Sequence, residues 1–352
     1  MQNKHFLLRQ KNNAYRVASY TKKMNNSEQK SLRGVNLGGW LVLEKWMTPS
    51  LFVGTNAHDE YSLVRTKNAA EKIQKHRETF ITEADFQWMH QRGIDIIRLP
   101  VGFWALDDHP PLISAKEKLD WTFQMAEKYN IQILVCLHAA YGSQNGKDHS
   151  GKMGQQDWYV WQHRRKTTQT LLRLVKHLRY SQVFWGIEVL NEPMPVTARQ
   201  ERQLRRWTRR IVRRLNAEAK NIRVVFSDAF QPEIWTGAIN HSCATMDVHH
   251  YQAFSETDKQ LTLEQHIKKA HYMRRSIATW QQDQPVIIGE WSLGLDVRSL
   301  SGVARRHAEQ QFGEAQLEAF AQAEAWFFWS YKTEREDGWN FRYLIEQKIL
   351  QI

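Results

Sequence analysis

The segment Val-Phe-Trp-Gly-Ile-Glu-Val-Leu-Asn-Glu-Pro, residues 183–193, decides the fold prediction. An apolar run of strand length ends in Asn191 and Glu192, and Pro193 then ends the strand and helps to fix the turn. The segment Val-Ile-Ile-Gly-Glu-Trp, residues 286–291, repeats this pattern and ends in Glu290. An ionised carboxylate at the end of a buried strand is costly unless it is paired or used in chemistry. Both segments therefore predict a buried strand that leads into a site.

Six further apolar runs alternate with amphipathic stretches of helical period, which makes eight β and α units. Eight such units predict an α/β protein with a closed (β/α)8 TIM barrel. An open doubly wound sheet is the alternative, but it would usually carry a Gly-rich phosphate loop, and the chain has no such motif. The predicted strands cover residues 34–37, 94–100, 131–138, 183–190, 222–227, 244–249, 286–290 and 326–331. The predicted helices cover 78–91, 116–129, 158–180, 199–220, 263–280 and 303–323.

Polar or aromatic residues end several of the predicted strands. In a parallel barrel, the carboxyl ends of all strands meet at one rim, where the chemistry takes place. The candidates are Arg98, His138, Asn191, Glu192, His249, Tyr251, Glu290 and Trp329.

Two glutamates facing each other across this rim suit glycoside hydrolysis, which needs a proton donor and a nucleophile or base. The alternative for either Glu192 or Glu290 is a structural ion pair. Arg98 would keep the nucleophile ionised or form a barrel salt bridge. The histidines match no zinc motif, and we expect no metal and no organic cofactor.

The composition limits the possible partners. The net charge is +12, and the chain contains 15 Trp, which suits carbohydrate or nucleic-acid ligands. The largest basic cluster, eight arginines within residues 199–214, has helical spacing and predicts a solvated helix face. A nucleic-acid groove would interleave basic and aromatic residues, so we expect no nucleic-acid partner.

Residues 1–30 are basic and polar, and we predict a flexible N-terminal extension followed by a single catalytic domain over 31–352. Neither a secretion signal nor a membrane span is visible, which on sequence alone favours a cytoplasmic location. Cys136 and Cys243 are expected to be buried thiols. We expect a monomer.

Eight segments in order resemble glycoside hydrolase family 5, and most closely its exo-β-1,3-glucanase branch, familiar from fungi. They are RGVNLGGW (33–40), LEKWMTPSLF (43–52), RLPVG (98–102), LHAAYGSQNG (137–146), LNEP (190–193), VHHYQAF (248–254), GEWS (289–292) and FWSYKTE (328–334).

The resemblance implies a retaining mechanism in which Glu290 is the nucleophile and Glu192 the acid/base. It implies that Asn191 bonds the sugar 2-hydroxyl and that Glu44 binds the terminal glucose. The implied substrate is a β-glucan or β-glucoside, with release of terminal glucose from β-1,3 linkages. The alternatives are a β-glucosidase for small or lipid-linked glucosides and a carbohydrate-binding protein without turnover.

The chain departs from the family pattern in the loop after the third strand. Family members commonly have Gly-Ser-Gln-Asn-Gly-Phe-Asp-Asn-Ser-Gly there, whereas this chain has Lys147 in place of Phe and His149 in place of the second Asn. The aromatic entrance shared with Phe254 is therefore expected to be half missing. The disulfides and secretion signal usual in the family are also absent from the sequence, although the family is commonly extracellular.

Overall fold

The computed structural model describes residues 30–352 apart from 236, 240 and 301. Eight parallel strands pair in chain order, and β1 closes the barrel against β8. The strands are β1 (Leu32–Asn36), β2 (Ile96–Gly102), β3 (Gln132–Ala139), β4 (Phe184–Glu188), β5 (Arg223–Ser227), β6 (Ala244–His249), β7 (Val286–Trp291) and β8 (Ala325–Phe328). The predicted (β/α)8 barrel is confirmed, with a strand inside or overlapping each predicted run.

Helices surround the barrel and cover the outer face of the sheet. They are α1 (Glu60–Leu63), α2 (Ala69–Thr79), α3 (Glu83–Gln91), α4 (Lys116–Tyr129), α5 (Trp161–Leu178), α6 (Ala198–Glu218), α7 (Leu263–Trp280), α8 (Arg305–Phe320) and α9 (Phe341–Glu346). No helix in these described ranges is long and apolar enough to cross a membrane.

The predicted helix over 78–91 is interrupted in the structure. The helix α2 ends at Thr79, and α3 begins at Glu83 with Thr82 as its N-cap. Thr82 and Asp85 form a capping box, in which the backbone N–H of Thr82 donates to Asp85 at 2.7 Å. These bonds satisfy backbone N–H groups that would have partners within a continuous helix but lack them at a helix start. The capping box therefore marks the start of a new helix at this point.

The barrel interior is layered. Its lower layer is an apolar plug of Ile96, Leu134, Val225, Ile287, Ala325 and Phe327. Because strand residues alternate in direction, residues two positions further along face the interior again. Two positions after Ile96 comes Arg98, which is fully buried. The plug therefore supports a charged layer directly beneath the open rim.

The predicted division at residue 30 stays a prediction, because residues 1–29 lie outside the described part of the chain.

Candidate active site

Arg98 lies at the centre of the candidate site, with none of its surface exposed. Its Nη1 donates to Oε1 of Glu290 at 2.8 Å, and its Nη2 donates to Oδ1 of Asn191 at 2.7 Å. Its Nε and Nη2 donate to the two carboxylate oxygens of Glu188 at 2.7 and 3.1 Å. A planar guanidinium suits this forked geometry, which fixes several strand ends relative to one another.

Glu188 and Asp247 belong to this network, and the sequence reasoning missed them. Oδ2 of Asp247 lies 3.7 Å from Nε of Arg98 and 3.3 Å from Nε2 of His249. Both carboxylates are fully buried. For Asp247 a signal was available, because it precedes His249 by two residues on β6 and strand alternation places both on the same face. Glu188 is the last residue of β4, and Glu192 lies beyond the strand, so alternation gave no such signal for Glu188.

Glu290, on β7, accepts two hydrogen bonds and has a third polar group close by. Besides Arg98, the hydroxyl of Tyr251 donates to its Oε2 at 2.8 Å, and Nδ1 of His249 lies 3.4 Å away. Burial, together with the charge of Glu192, raises the pKa of Glu290 to about 7, although the donors oppose the shift.

Glu192 follows β4 with a φ of 43°, in the left-handed region that a non-glycine residue rarely adopts. Such strain persists where the surroundings hold it, and often at functional sites. Here Nδ2 of Asn145 donates to its carbonyl at 3.1 Å, and Nδ1 of His249 lies 2.7 Å from its Oε1. Burial raises the pKa of Glu192, but the hydrogen bond and charge of His249 outweigh it and lower the pKa to about 2.

His249 lies between the two glutamates. One oxygen of Glu192, one of Glu290 and a ring nitrogen of His249 all lie within 4.8 Å of one another. Burial lowers the pKa of His249, but Glu290 and Asp247 outweigh it and raise the pKa well above its usual range. These opposite pKa shifts favour a protonated His249 beside an ionised Glu192 in the free protein.

His138 and Trp329 form an aromatic floor. Their rings stack with centroids 5.4 Å apart and planes 8° from parallel. Burial lowers the pKa of His138 well below its usual range, so its ring is neutral. Its Nε2 is buried and has no hydrogen-bond partner within the described residues, which leaves it free to bond a sugar hydroxyl.

Glu44 lies in the loop after β1 and is buried. Its Oε2 accepts from Nε1 of Trp46 at 2.9 Å, and its Oε1 has no partner within the described residues. Burial, followed by the charge of Asp148, raises the pKa of Glu44 well above its usual range. A carboxyl group with an open hydrogen-bonding oxygen is suited to a ligand hydroxyl.

Aromatic rings extend the site outward. Trp339 lies 5.5 Å from Tyr251, 5.8 Å from Phe254 and 5.6 Å from Trp46, as measured between ring centroids. Phe254 is 65% exposed. Trp339 was not predicted, since it follows a loop after β8 and not a strand end.

The structure thus joins six of the nine predicted site residues in one hydrogen-bonded network and stacks two others, His138 and Trp329, on each other. Arg98, His249 and Tyr251 bond the two glutamates and Asn191, and His138 joins Trp329. The side chain of Glu44 bonds Trp46 and none of the other predicted residues, although Glu192 and Glu290 are close enough to raise the pKa of Glu44.

Glu188, Asp247 and His249 could by distance form a metal site, as could Glu192, His249 and Glu290. In the group formed by Glu188, Asp247 and His249, the guanidinium of Arg98 already occupies the position of a cation, because it donates twice to Glu188. A metal ion would have to displace a buried, fully bonded cation. The first group therefore already has its counter-charge in Arg98.

The family model for cellulase (glycosyl hydrolase family 5) matches residues 58–335. The chain is 34% identical to a "Probable glucan 1,3-beta-glucosidase A" of Emericella nidulans, over 90% of this chain and 89% of the relative. It is 32% identical to the protein of the same name from Aspergillus niger, over 90% and 86%. The crystal structure of a rutinosidase from Aspergillus niger has the same fold, with a TM-score of 0.79 and 22% identity over 92% of this chain and 98% of that one. The chain therefore belongs to glycosyl hydrolase family 5 and is a glycoside hydrolase that acts on O-glycosyl bonds.

Proposed function

We propose that the protein is a retaining exo-β-glucosidase that releases glucose from the ends of β-1,3-glucans. The observation that carries the retaining mechanism is the separation of the two glutamates, whose nearest oxygens lie within 4.8 Å. Retaining glycosidases place their carboxyl groups about 5–5.5 Å apart, whereas inverting enzymes need about 6.5–9.5 Å to admit a water molecule.

In the first step, a carboxylate oxygen of Glu290 attacks the anomeric carbon. The glycosidic C–O bond breaks, and Glu192 gives its proton to the leaving oxygen. Arg98 and Tyr251 hold Glu290 in place for the attack. In the second step, Glu192 removes a proton from water, which attacks the same carbon and releases Glu290. Two inversions give net retention.

Glu192 must be protonated in the first step, whereas the free protein holds the proton on His249. The form with the proton on His249 and the form with the proton on Glu192 contain the same number of protons. To convert one into the other, the proton only has to cross the 2.7 Å between Nδ1 of His249 and Oε1 of Glu192. Asp247 accepts from the opposite ring nitrogen and would keep the neutral imidazole in the tautomer that accepts from Glu192. A bound sugar would favour this transfer by displacing water from the carboxylate.

Support for a terminal glucose comes from Glu44 and His138, which each have a buried polar atom without a hydrogen-bond partner among the described residues. The relatives' name, glucan 1,3-beta-glucosidase, supports the β-1,3 linkage. All the groups come from one chain, so we propose a monomer as the active unit.

One observation favours the second candidate, a β-glucosidase for small or lipid-linked glucosides. Residue 147 is an exposed lysine, which does not stack on a second sugar ring as an aromatic side chain does. Lysine would instead attract an anionic leaving group.

A substrate panel tests the two candidates. It contains laminari-oligosaccharides, laminarin, cellobiose, aryl β-glucosides and glucosylceramide, with products separated by size and the first anomer identified by NMR. We expect β-glucose as the first product from laminari-oligosaccharides. Internal fragments would contradict exo action, α-glucose would contradict retention, and turnover of aryl or lipid glucosides alone would favour the second candidate.

Replacing Glu192 tests the acid/base assignment. Glu192→Ala is expected to impair substrates with poor leaving groups far more than activated aryl glucosides, which need little protonation. Azide should restore part of the activity and yield β-glucosyl azide. Equal losses on both substrate types without azide rescue would show that Glu192 is not the acid/base.

A further inference from the structure

His149 lies beside the carboxylate of Glu192, at the oxygen that His249 does not approach. It lies in a short 3-10 turn, Asp148–Ser150, after β3. Its Nε2 is 3.5 Å from Oε2 of Glu192, whereas His249 approaches Oε1. Each oxygen of Glu192 thus faces its own imidazole.

Other contacts fix the ring of His149. It packs edge-on against the ring of His138, with centroids 5.5 Å apart. Its side chain is only 16% exposed. The turn is held by the hydroxyl of Ser150, which lies 2.5 Å from that of Ser143. The imidazole is therefore a built part of the site wall.

The neighbouring amides indicate which ring nitrogen carries the proton. Oδ1 of Asn191 accepts from Arg98, so its Nδ2 is directed toward Nδ1 of His149, at 3.4 Å. Because that amide nitrogen is a donor, Nδ1 accepts, and the proton of a neutral ring lies on Nε2, toward Glu192. Nδ2 of Asn145 lies 3.4 Å from the same Nε2, but it has a better acceptor in the carbonyl of Glu192, at 3.1 Å.

We propose that His149 is a positioning residue for Glu192, a second imidazole beside the carboxylate that helps to set how strongly this acid/base group holds its proton. The inference rests on the proposed function. An N–H group directed at Oε2 from 3.5 Å favours the ionised carboxylate by its dipole when the imidazole is neutral, and by its charge more strongly when the ring is protonated. The family's asparagine at this position is shorter and carries no charge, so it would not act in this way.

Titratable groups from the other strands and loops also face Glu192. They are Arg98, His249, Glu290, Tyr251, Asp228 and Glu44. His138 faces His149 itself. All of them remain in a His149 variant, so a change in the pH profile of the variant reports the missing imidazole.

The test is the pH profile of kcat/KM for a laminari-oligosaccharide in wild type and His149→Asn. The basic limb reports loss of the proton that Glu192 needs, and the acidic limb reports protonation of Glu290. We expect the basic limb of His149→Asn to move up by about one pH unit, because Glu192 loses the imidazole beside Oε2. The acidic limb should stay in place.

Three controls separate the causes. His149→Gln keeps an N–H group of similar reach, so its basic limb should lie nearer to that of wild type. If His149→Asn and His149→Gln shift the basic limb equally, the effect is due to the charge of the imidazole, and this result would also support the proposal. Lys152→Ala removes an exposed positive charge from the same loop and should not move the limb. Equal melting temperatures would show that the fold is intact.

A basic limb that stays in place in His149→Asn would overturn the proposal, as would parallel shifts of both limbs. If azide still rescues Glu192→Ala in that case, the proposed function stands and only the role of His149 fails. If azide does not rescue Glu192→Ala, the proposed function itself fails.

Discussion

Tyr251 is the residue whose role in the site is easiest to isolate. Its hydroxyl donates to Oε2 of Glu290 at 2.8 Å, and this bond lowers the pKa of Glu290 against the effect of burial. In Tyr251→Phe the pKa of Glu290 should rise, so the nucleophile is protonated at higher pH and the acidic limb of kcat/KM moves up. A hydrogen bond to a charged group contributes about 1.5–3 kcal/mol, so activity at the optimum should fall about ten- to a hundredfold.

Measuring kcat/KM from pH 4 to 9 for both proteins checks this expectation. The exposed Tyr272→Phe serves as the matched control. A fall in activity without movement of the acidic limb would mean that Tyr251 acts on the substrate and not through Glu290.

At the scale of elements, the loop after β3 determines what the entrance accepts. Lys147 is exposed, and Phe254 presents a largely exposed ring beside Trp339. We expect Lys147→Phe to lower the KM for laminari-oligosaccharides about fivefold, since a ring-face contact contributes about 1 kcal/mol. Aryl glucosides, which lack a second glucose, should show nearly unchanged kinetics.

Lys147→Ala separates the gain of an aromatic ring from the loss of a charge. The measurement is kcat and KM of Lys147→Phe and Lys147→Ala for laminari-oligosaccharides and for aryl glucosides. Unchanged oligosaccharide kinetics in Lys147→Phe would show that residue 147 does not line the second sugar site.

At the scale of the whole molecule, the pH dependence of folding comes from buried groups that act in opposite directions. Burial lowers the pKa of His76 and of His250 to about 4, so these residues destabilise the fold as pH falls below 6.5. Burial raises the pKa of Glu60 to about 7. Its stabilising contribution is complete below pH 4.5 and is lost as pH rises through 7.

Glu60→Gln removes this opposing effect. The free energy of unfolding of the variant, relative to wild type, should increase by about 3 kcal/mol between pH 4.5 and 7.5, because the pKa of Glu60 rises from 4.5 to about 7 on folding. Urea unfolding at both pH values measures the difference. The exposed Glu71→Gln, on α2, is the control, and an identical pH dependence of the two variants would contradict the expectation.

The barrel could be predicted because buried parallel strands are short, apolar and evenly separated by helices. The candidate site followed from the same rule, since polar residues that end such strands must meet at one rim. Glu188 and Asp247 lie one layer lower and were missed because they interrupt apolar runs. The free-energy cost of burying these two carboxylates is offset by Arg98, which lies on another strand. The sequence pattern of a single strand does not show that partner.

Other features depend on contacts between segments distant in sequence. The left-handed backbone of Glu192 is held by Asn145, 47 residues earlier. The contact of His149 with Glu192 likewise joins two different loops, and the sequence alone showed only that residue 149 differs from the family pattern. The break between α2 and α3 is local, and the Thr82–Asp85 capping box could have predicted it.

The central claim is that Glu290 forms a covalent bond to the sugar, and trapping that bond tests it most directly. A 2-deoxy-2-fluoro-β-glucoside with a good leaving group should inactivate the protein with one label per chain, because the fluorine slows release more than attachment. Mass spectrometry of a protease digest is expected to place the label on Glu290. A label on Glu192 or on any other residue would contradict the account.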